Sequence, residues 1–219
     1  AESAVNYYEN LTAKEVVDFY NKMETPDPKR PISKGLNTRL VKDKETGKIY
    51  EEPFCINGRY SKIITKIVEN LNKAIPFAEN EAQKEELKKL IEYYHTGDLT
   101  TWDEYNIMWV QNTEPRVDYV NGFIENYGDP LGFKATWEAI TNFKDLDATE
   151  KTNIISANAQ WFENNSPIDD RFRKPEVKGI TAKAINVVAL AGDCFPAPPI
   201  GINLPNADWI RKEYGSKSV

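Results

Sequence analysis

The most restrictive feature of this chain is a pair of β-prone runs, residues 117–127 and 133–143, that flank Gly128-Asp129-Pro130-Leu131-Gly132. Proline lacks an N–H and glycine reaches backbone conformations closed to other residues, so the intervening segment continues neither a strand nor a helix. The arrangement predicts a long hairpin, with partial helical character in its second run. A shorter hairpin is expected where 36–42 and 49–54 flank the turn Lys44-Glu45-Thr46-Gly47. The most apolar strand is expected at 184–190. Helical patterning surrounds these strands. Thr12-Ala13-Lys14-Glu15 is a capping box opening a first helix. Residues 60–77 place Ile63, Ile64, Ile67, Val68, Leu71 and Ile75 on one stripe. Residues 79–96 form a charged amphipathic helix ended by Gly97. Shorter helices are expected at 101–111 and 208–214, and a longer one at 148–162. The expected class is α+β, a mixed, β-barrel-like sheet surrounded by helices, with a helical excursion near 147–163.

Composition narrows the function. Twenty-eight basic against 34 acidic residues give a net charge of −6. A nucleic-acid backbone requires a basic surface, so nucleic acid is not expected as a partner. No apolar run approaches the length of a membrane span, so no membrane partner is expected. No signal-peptide pattern is visible, which points to a cytoplasmic protein whose natural N-terminus is missing here. Cys55 and Cys194 lie far apart with no CxxC spacing and are expected as free, buried thiols.

The single histidine, His95, lies near a helix C-terminus, where an imidazolium complements the helix dipole. No second histidine or nearby thiol completes a metal set, so no metal site and no catalytic residue is assigned within the chain. Asp118 and Glu125 share a predicted strand. Their odd separation puts them on opposite faces unless a bulge intervenes. Two carboxylates over one cleft would suit hydrolysis of a glycosidic bond. The phosphate-binding patterns GxxxxGK[ST] and GxGxxG are absent, as is the Nudix pattern. Pro198-Pro199-Ile200-Gly201-Ile202-Asn203-Leu204-Pro205-Asn206 reads as an edge or a loop, because its prolines exclude a central strand. Such an edge accepts an extended peptide by strand addition, and Asn203 and Asn206 offer carbonyl oxygens to an ammonium group. The plainer reading is two turn asparagines beside a proline.

Several blocks resemble one family. Asn121-Gly122-Phe123-Ile124-Glu125-Asn126-Tyr127-Gly128-Asp129-Pro130-Leu131-Gly132, continued by Trp137-Glu138-Ala139-Ile140, resembles the "GFIE-Y-DP-G" block of the dipeptidyl peptidase III family. Leu36-Asn37-Thr38-Arg39-Leu40 is similar to its "NTRL" strand. Ile200-Gly201-Ile202-Asn203-Leu204-Pro205-Asn206 is similar to its "GIN-PN" segment, and 214–219 continues that stretch. The blocks stand in family order across most of the chain.

The resemblance implies a portion of a zinc exopeptidase that removes dipeptides from peptide N-termini. The family's HExxGH motif and its later glutamate motif lie downstream of "GIN-PN", so the zinc ligands are expected outside this chain, with zinc a cofactor of the parent only. The matched part implies residues 1–219 as the substrate-binding, lower-lobe portion, inactive alone, with 147–180 belonging to the upper lobe of the whole enzyme. The implied partners are a peptide substrate and the catalytic lobe of the same protein. Residue by residue, the resemblance assigns Asp118, Asn203 and Asn206 to the substrate's N-terminus and the Gly201 segment to the strand edge. The family's tyrosine two residues after the acid is Val120 here. A free-standing peptide-binding scaffold and a carboxylate-dependent hydrolase are the alternatives.

Overall fold

The computed structural model of the chain describes residues 5–177 and 180–218. Strand β1 (Tyr8–Glu9) leads into α1 (Ala13–Lys22). The Thr12 hydroxyl caps the Glu15 N–H and the Glu15 carboxylate returns to the Thr12 N–H. β2 (Thr38–Lys42) and β3 (Ile49–Pro53) form the shorter hairpin, with β1 parallel to β2. Val16 and Tyr20 of α1 bury against Leu40 of β2 as a small separate core.

Three helices follow. α2 (Ser61–Ala74) runs into a 3-10 turn at Ile75–Phe77, then α3 (Glu81–Thr96) and α4 (Leu99–Gln111). Gly97, at φ 71°, reverses the chain between α3 and α4, and Asp98 caps α4 at the Thr101 N–H. On α2 the buried residues are Ile64, Val68 and Leu71; Ile63, expected on the same stripe, is 64% exposed. It lies at the margin of the stripe, about 100° around the helix from Ile64.

The long hairpin is β4 (Val117–Glu125) and β5 (Thr136–Lys144), so the second run is strand throughout. The expected helix at 148–162 is two helices, α5 (Leu146–Ala157) and α6 (Ala159–Asn165), broken at Asn158. β6 (Ile180–Ala182), β7 (Ile185–Gly192), β8 (Asn203–Leu204), α7 (Asp208–Glu213) and β9 (Ser216–Ser218) complete the chain. The strands form three three-stranded sheets, ordered β1-β2-β3, β4-β5-β7 and β6-β9-β8. The α+β class stands. No sheet closes into a barrel among the described residues, because each stops at open edges after three strands.

The main core joins α2, α3 and α4 to β4 and β5 through Leu87, Leu90, Tyr93, Trp102, Trp109 and Ile140. β7, the most apolar run, contributes only the half-buried Leu190 to it: Val187 and Val188 are 47% and 63% exposed. It is the outer strand of its sheet, and nothing described covers that face. The chain exposes 13083 Å², whereas a compact 25.0 kDa chain exposes about 10,000 Å². Exposed apolar side chains of the helical excursion, including Ile154, Trp161 and Phe162, and of β7 contribute to the excess, as do Phe77, Tyr127 and Ile200 elsewhere. Cys55 and Cys194 are free and buried.

Candidate functional site

The best-formed cleft, ≈ 570 Å³, lies between α4, the end of β4 and the segment following β8. Trp102, Asp103 and Asn106 enter from α4, Glu125 from β4, and Leu204 and Asn206 from the late segment. Gly122 permits this approach. A Cβ there would stand 2.4 Å from Trp102 Cη2, so any side chain on that strand position would push α4 away. Trp102 is held by tilted contacts with Tyr93 and Tyr105 at 4.9 and 5.2 Å.

The 126–135 loop is organised by Asp129. Its carboxylate accepts hydrogen bonds from the backbone N–H of Leu131, Phe133 and Lys134 and from the Tyr8 hydroxyl. This satisfies the turn that Pro130 cannot bond for itself. Lys134 is fully buried beneath the loop beside Tyr20, Thr38 and Glu51, and burial lowers its pKa to about 8.

A bulge between Phe123 and Glu125 absorbs one residue of β4, which returns Glu125 to the parity of Asp118. Both side chains reach the late segment, but to different ends. Glu125 Oε1 accepts from Asn206 Nδ2 at 3.1 Å at the cleft rim. Asp118 is buried and lines no part of that cleft. Its carboxylate accepts from Trp109 Nε1, the Tyr119 N–H and Lys217 Nζ at 3.0, 2.9 and 3.0 Å, with Lys183 Nζ at 3.5 Å. Lys217 also lies over the Trp109 ring at 4.3 Å. The ammonium that Asp118 holds in this structure is that of Lys217. Burial, with Lys217 as a second cause, lowers Lys183 to about 8.

Asn203 and Gly201 are exposed. Asn203 pairs with Ser218 of β9, and β8 is the outer strand of its sheet, with its far edge unpaired among the described residues. The structure therefore brings Asn206 to Glu125 and the strand of Asn203 to Lys217, the partner of Asp118. Gly201 stands apart from both. His95 is exposed in the last turn of α3.

Asp103, Asn106, Lys183 and Lys217 were not legible as site residues. For the first two the sequence offered only their place among Trp102, Tyr105 and Trp109 on one helix, where the structure buries both. An acid in the first turns of a helix reads more simply as a dipole partner.

The profile described as "Peptidase family M49" matches residues 33–219. The chain belongs to peptidase family M49. Dipeptidyl peptidase 3 of Dictyostelium discoideum is 33% identical over 164 residues, 75% of this chain and 23% of that protein. Dipeptidyl peptidase 3 of Rattus norvegicus is 31% identical over 191 residues, 84% of this chain and 26% of that protein. The solved structure of dipeptidyl-peptidase III from Corallococcus sp. strain EGB superposes with a TM-score of 0.79 at 24% identity, covering 98% of this chain and 39% of that one. That likeness speaks to the fold. The chain spans about a quarter of the length of these curated relatives.

M49 implies a zinc metallopeptidase. Among the described residues no group of three or more His, Cys, Asp or Glu side chains is placed to hold a metal ion. The donors present among the described residues do not fit zinc. Among the described residues no helix is long and apolar enough to cross a membrane.

Proposed function

We propose that this chain is the peptide-holding portion of an M49 dipeptidyl peptidase, with the metal and its ligands supplied by the rest of a longer protein. The observation that carries this reading is the continuity of an unpaired strand edge with a polar cleft. β8 offers main-chain groups to an extended peptide, and two residues beyond it Asn206 joins Glu125 at the cleft rim. Gly201 and Asn203 present the edge, and Asn206 orients the end of the peptide. Asp118 contributes its charge through Lys217 and Lys183 unless the peptide ammonium displaces one of them. The lower-lobe sheets take a barrel-like arrangement only with strands from outside this chain.

The exposed apolar surface of α5, α6 and β7 packs against the catalytic lobe of the whole enzyme, which accounts for part of the excess surface. The protein works in the cytoplasm on peptide N-termini. A hydrolase built on Asp118 and Glu125 is disfavoured, because Asp118 faces two lysines and not the cleft that Glu125 lines.

Titration of the 219-residue chain with a short unstructured peptide, read by backbone amide shifts, tests the reading. Shifts in 201–206 that Asn203→Ala with Asn206→Ala abolishes support it. A peptide that shifts none of these residues overturns it. With zinc added, the chain alone is expected to release no dipeptide from an arylamide substrate.

A further inference from the structure

A second cavity, ≈ 400 Å³, opens between the start of α2, Phe123 of β4 and the start of β5. It shares no lining residue with the cleft described above. Tyr7, Phe54, Tyr60, Phe123 and Trp137 give it an aromatic wall. Phe54 packs on both Tyr60 and Phe123, with ring centres 5.2 and 5.1 Å apart. Trp137 is fixed by its indole N–H, which donates to the Tyr94 hydroxyl at 2.7 Å.

The charge at this cavity is one-sided. Among the described residues no lysine or arginine lines it, and its one charged side chain is Asp193. Gly192, at φ 63°, ends β7 so tightly that a Cβ would stand 2.1 Å from the Trp137 carbonyl oxygen. This close approach lets the Asp193 N–H donate to the same carbonyl at 3.0 Å. The exposed Asp193 carboxylate accepts from the Thr136 hydroxyl at 3.0 Å and has no paired cation among the described residues. Arg59 lies over the Tyr60 ring at 5.4 Å but outside the lining, and it pairs with Glu52 at 3.2 Å. Asn6 spends its amide on the Tyr60 hydroxyl. Tyr7 is 6% exposed, yet its hydroxyl makes no hydrogen bond among the described residues, whereas a buried polar group ordinarily has a partner. The cavity thus leaves two groups unsatisfied, and both accept hydrogen bonds. Aromatic rings attract cations through their faces, and a cavity of this size suits one small molecule.

We propose that this cavity binds a small organic ammonium ion with an apolar substituent. The substituent sits among Phe54, Phe123 and Trp137, and the charge sits at the Asp193 carboxylate. A neutral ligand of the same shape gains the apolar contacts but nothing from Asp193. The site is independent of peptide holding in the cleft, and the failure of either leaves the other standing.

The test titrates the 219-residue chain near neutral pH with phenethylamine, its N,N,N-trimethyl form and the neutral 2-phenylethanol. Binding is read from the indole N–H shifts of Trp137, in this cavity, and Trp102, in the cleft. At least one ammonium probe is expected to move Trp137 and to bind about fivefold or more tighter than 2-phenylethanol, as a partly desolvated cation on an aromatic wall gives. In Asp193→Asn the advantage is expected to fall to within about twofold, with affinity for 2-phenylethanol retained. If that variant also loses the neutral probe, Asp193→Ser is read in its place. A neutral probe that binds as tightly as both ammonium probes overturns the proposal, as does any advantage short of fivefold. An advantage that stays above twofold without the carboxylate also overturns it. Shifts at Trp102 with Trp137 unmoved assign the amine to the cleft and overturn it too, and so does a chain that binds none of the probes.

Discussion

Asn206 and Glu125, 81 residues apart in sequence, are joined by a 3.1 Å hydrogen bond at the rim of the cleft. The contact is made possible by the β4 bulge, which turns Glu125 toward the late segment, and by the short β8–β9 pairing, which holds that segment in place. Both side chains are solvated, so Asn206→Ala is expected to change stability by less than about 0.5 kcal/mol. Urea unfolding checks this, and a near-neutral result lets any loss of peptide binding in that variant be read as a loss at the site.

Gly122 carries more. Gly122→Ala places a methyl against the indole of Trp102, which is itself packed by Tyr93 and Tyr105 and has no room to retreat. The expected cost is about 1–3 kcal/mol from overpacking, measured by chemical denaturation. Near-UV circular dichroism should change with it, because the tryptophan environment is what moves.

The Asp118–Lys217 pair is buried on both sides. Lys217→Met leaves Asp118 with Lys183 as its remaining cation, at the longer distance of 3.5 Å. Removing one partner of a buried ion pair costs about 3–5 kcal/mol, with the lower end expected here because Lys183 and Trp109 persist. Asp118→Asn combined with Lys217→Met should recover part of that loss, and a double-mutant cycle in urea gives the coupling.

Asp103 makes stability depend on pH. Burial first, and Asp98 second, push its carboxyl up to about 7 from the model-peptide value of 3.8. The native state therefore holds a proton that the unfolded chain releases, and folding weakens as pH rises between those values. The contribution is fully present below the unfolded pKa and lost as pH passes through about 7. Asp103→Asn removes this dependence. Its melting temperature should exceed that of the wild type by an amount that grows with pH up to neutrality, reaching roughly 5 °C near pH 8. A difference independent of pH would show that the carboxyl is not buried as described.

Cys194 should be inert. Burial and the adjacent Glu138 push its thiol up to about 12, and its S–H donates to Glu138 Oε2 at 3.4 Å. The nucleophile in thiol chemistry is the thiolate. A disulfide reagent at neutral pH is expected to label neither Cys194 nor the buried Cys55 in the native chain, and both after unfolding in guanidinium.

The order of elements was legible in the residues because it follows from local rules. The Thr12 box, Gly97 after α3 and the 128–132 loop act within a few residues of themselves, and the structure places a helix start, a helix end and a hairpin loop where they stand. The two free thiols followed from spacing alone. Local rules also misled. The most apolar strand stands at β7 as expected, yet it occupies an outer position with exposed valines, because hydrophobicity reports a preference for burial and not what is available to cover a face. The helix at 148–162 broke at Asn158, where the amide side chain bonds back to the Ile154 carbonyl and competes with the helical backbone.

Local patterning and matched motif blocks determined the α+β class, the long hairpin and the M49 family. Tertiary structure alone decided the electrostatics of the site. Asp118 and Asp103 are both acids near the start of a predicted element, and neither one's neighbours along the chain reveal its ionic partners. One is neutralised by lysines 65 and 99 residues away; the other is buried beside the cleft without a partner among the described residues. Charge interactions act through space and weaken sharply with solvation, so the role of each carboxylate was set only when distant strands closed over one and left the other facing the cavity.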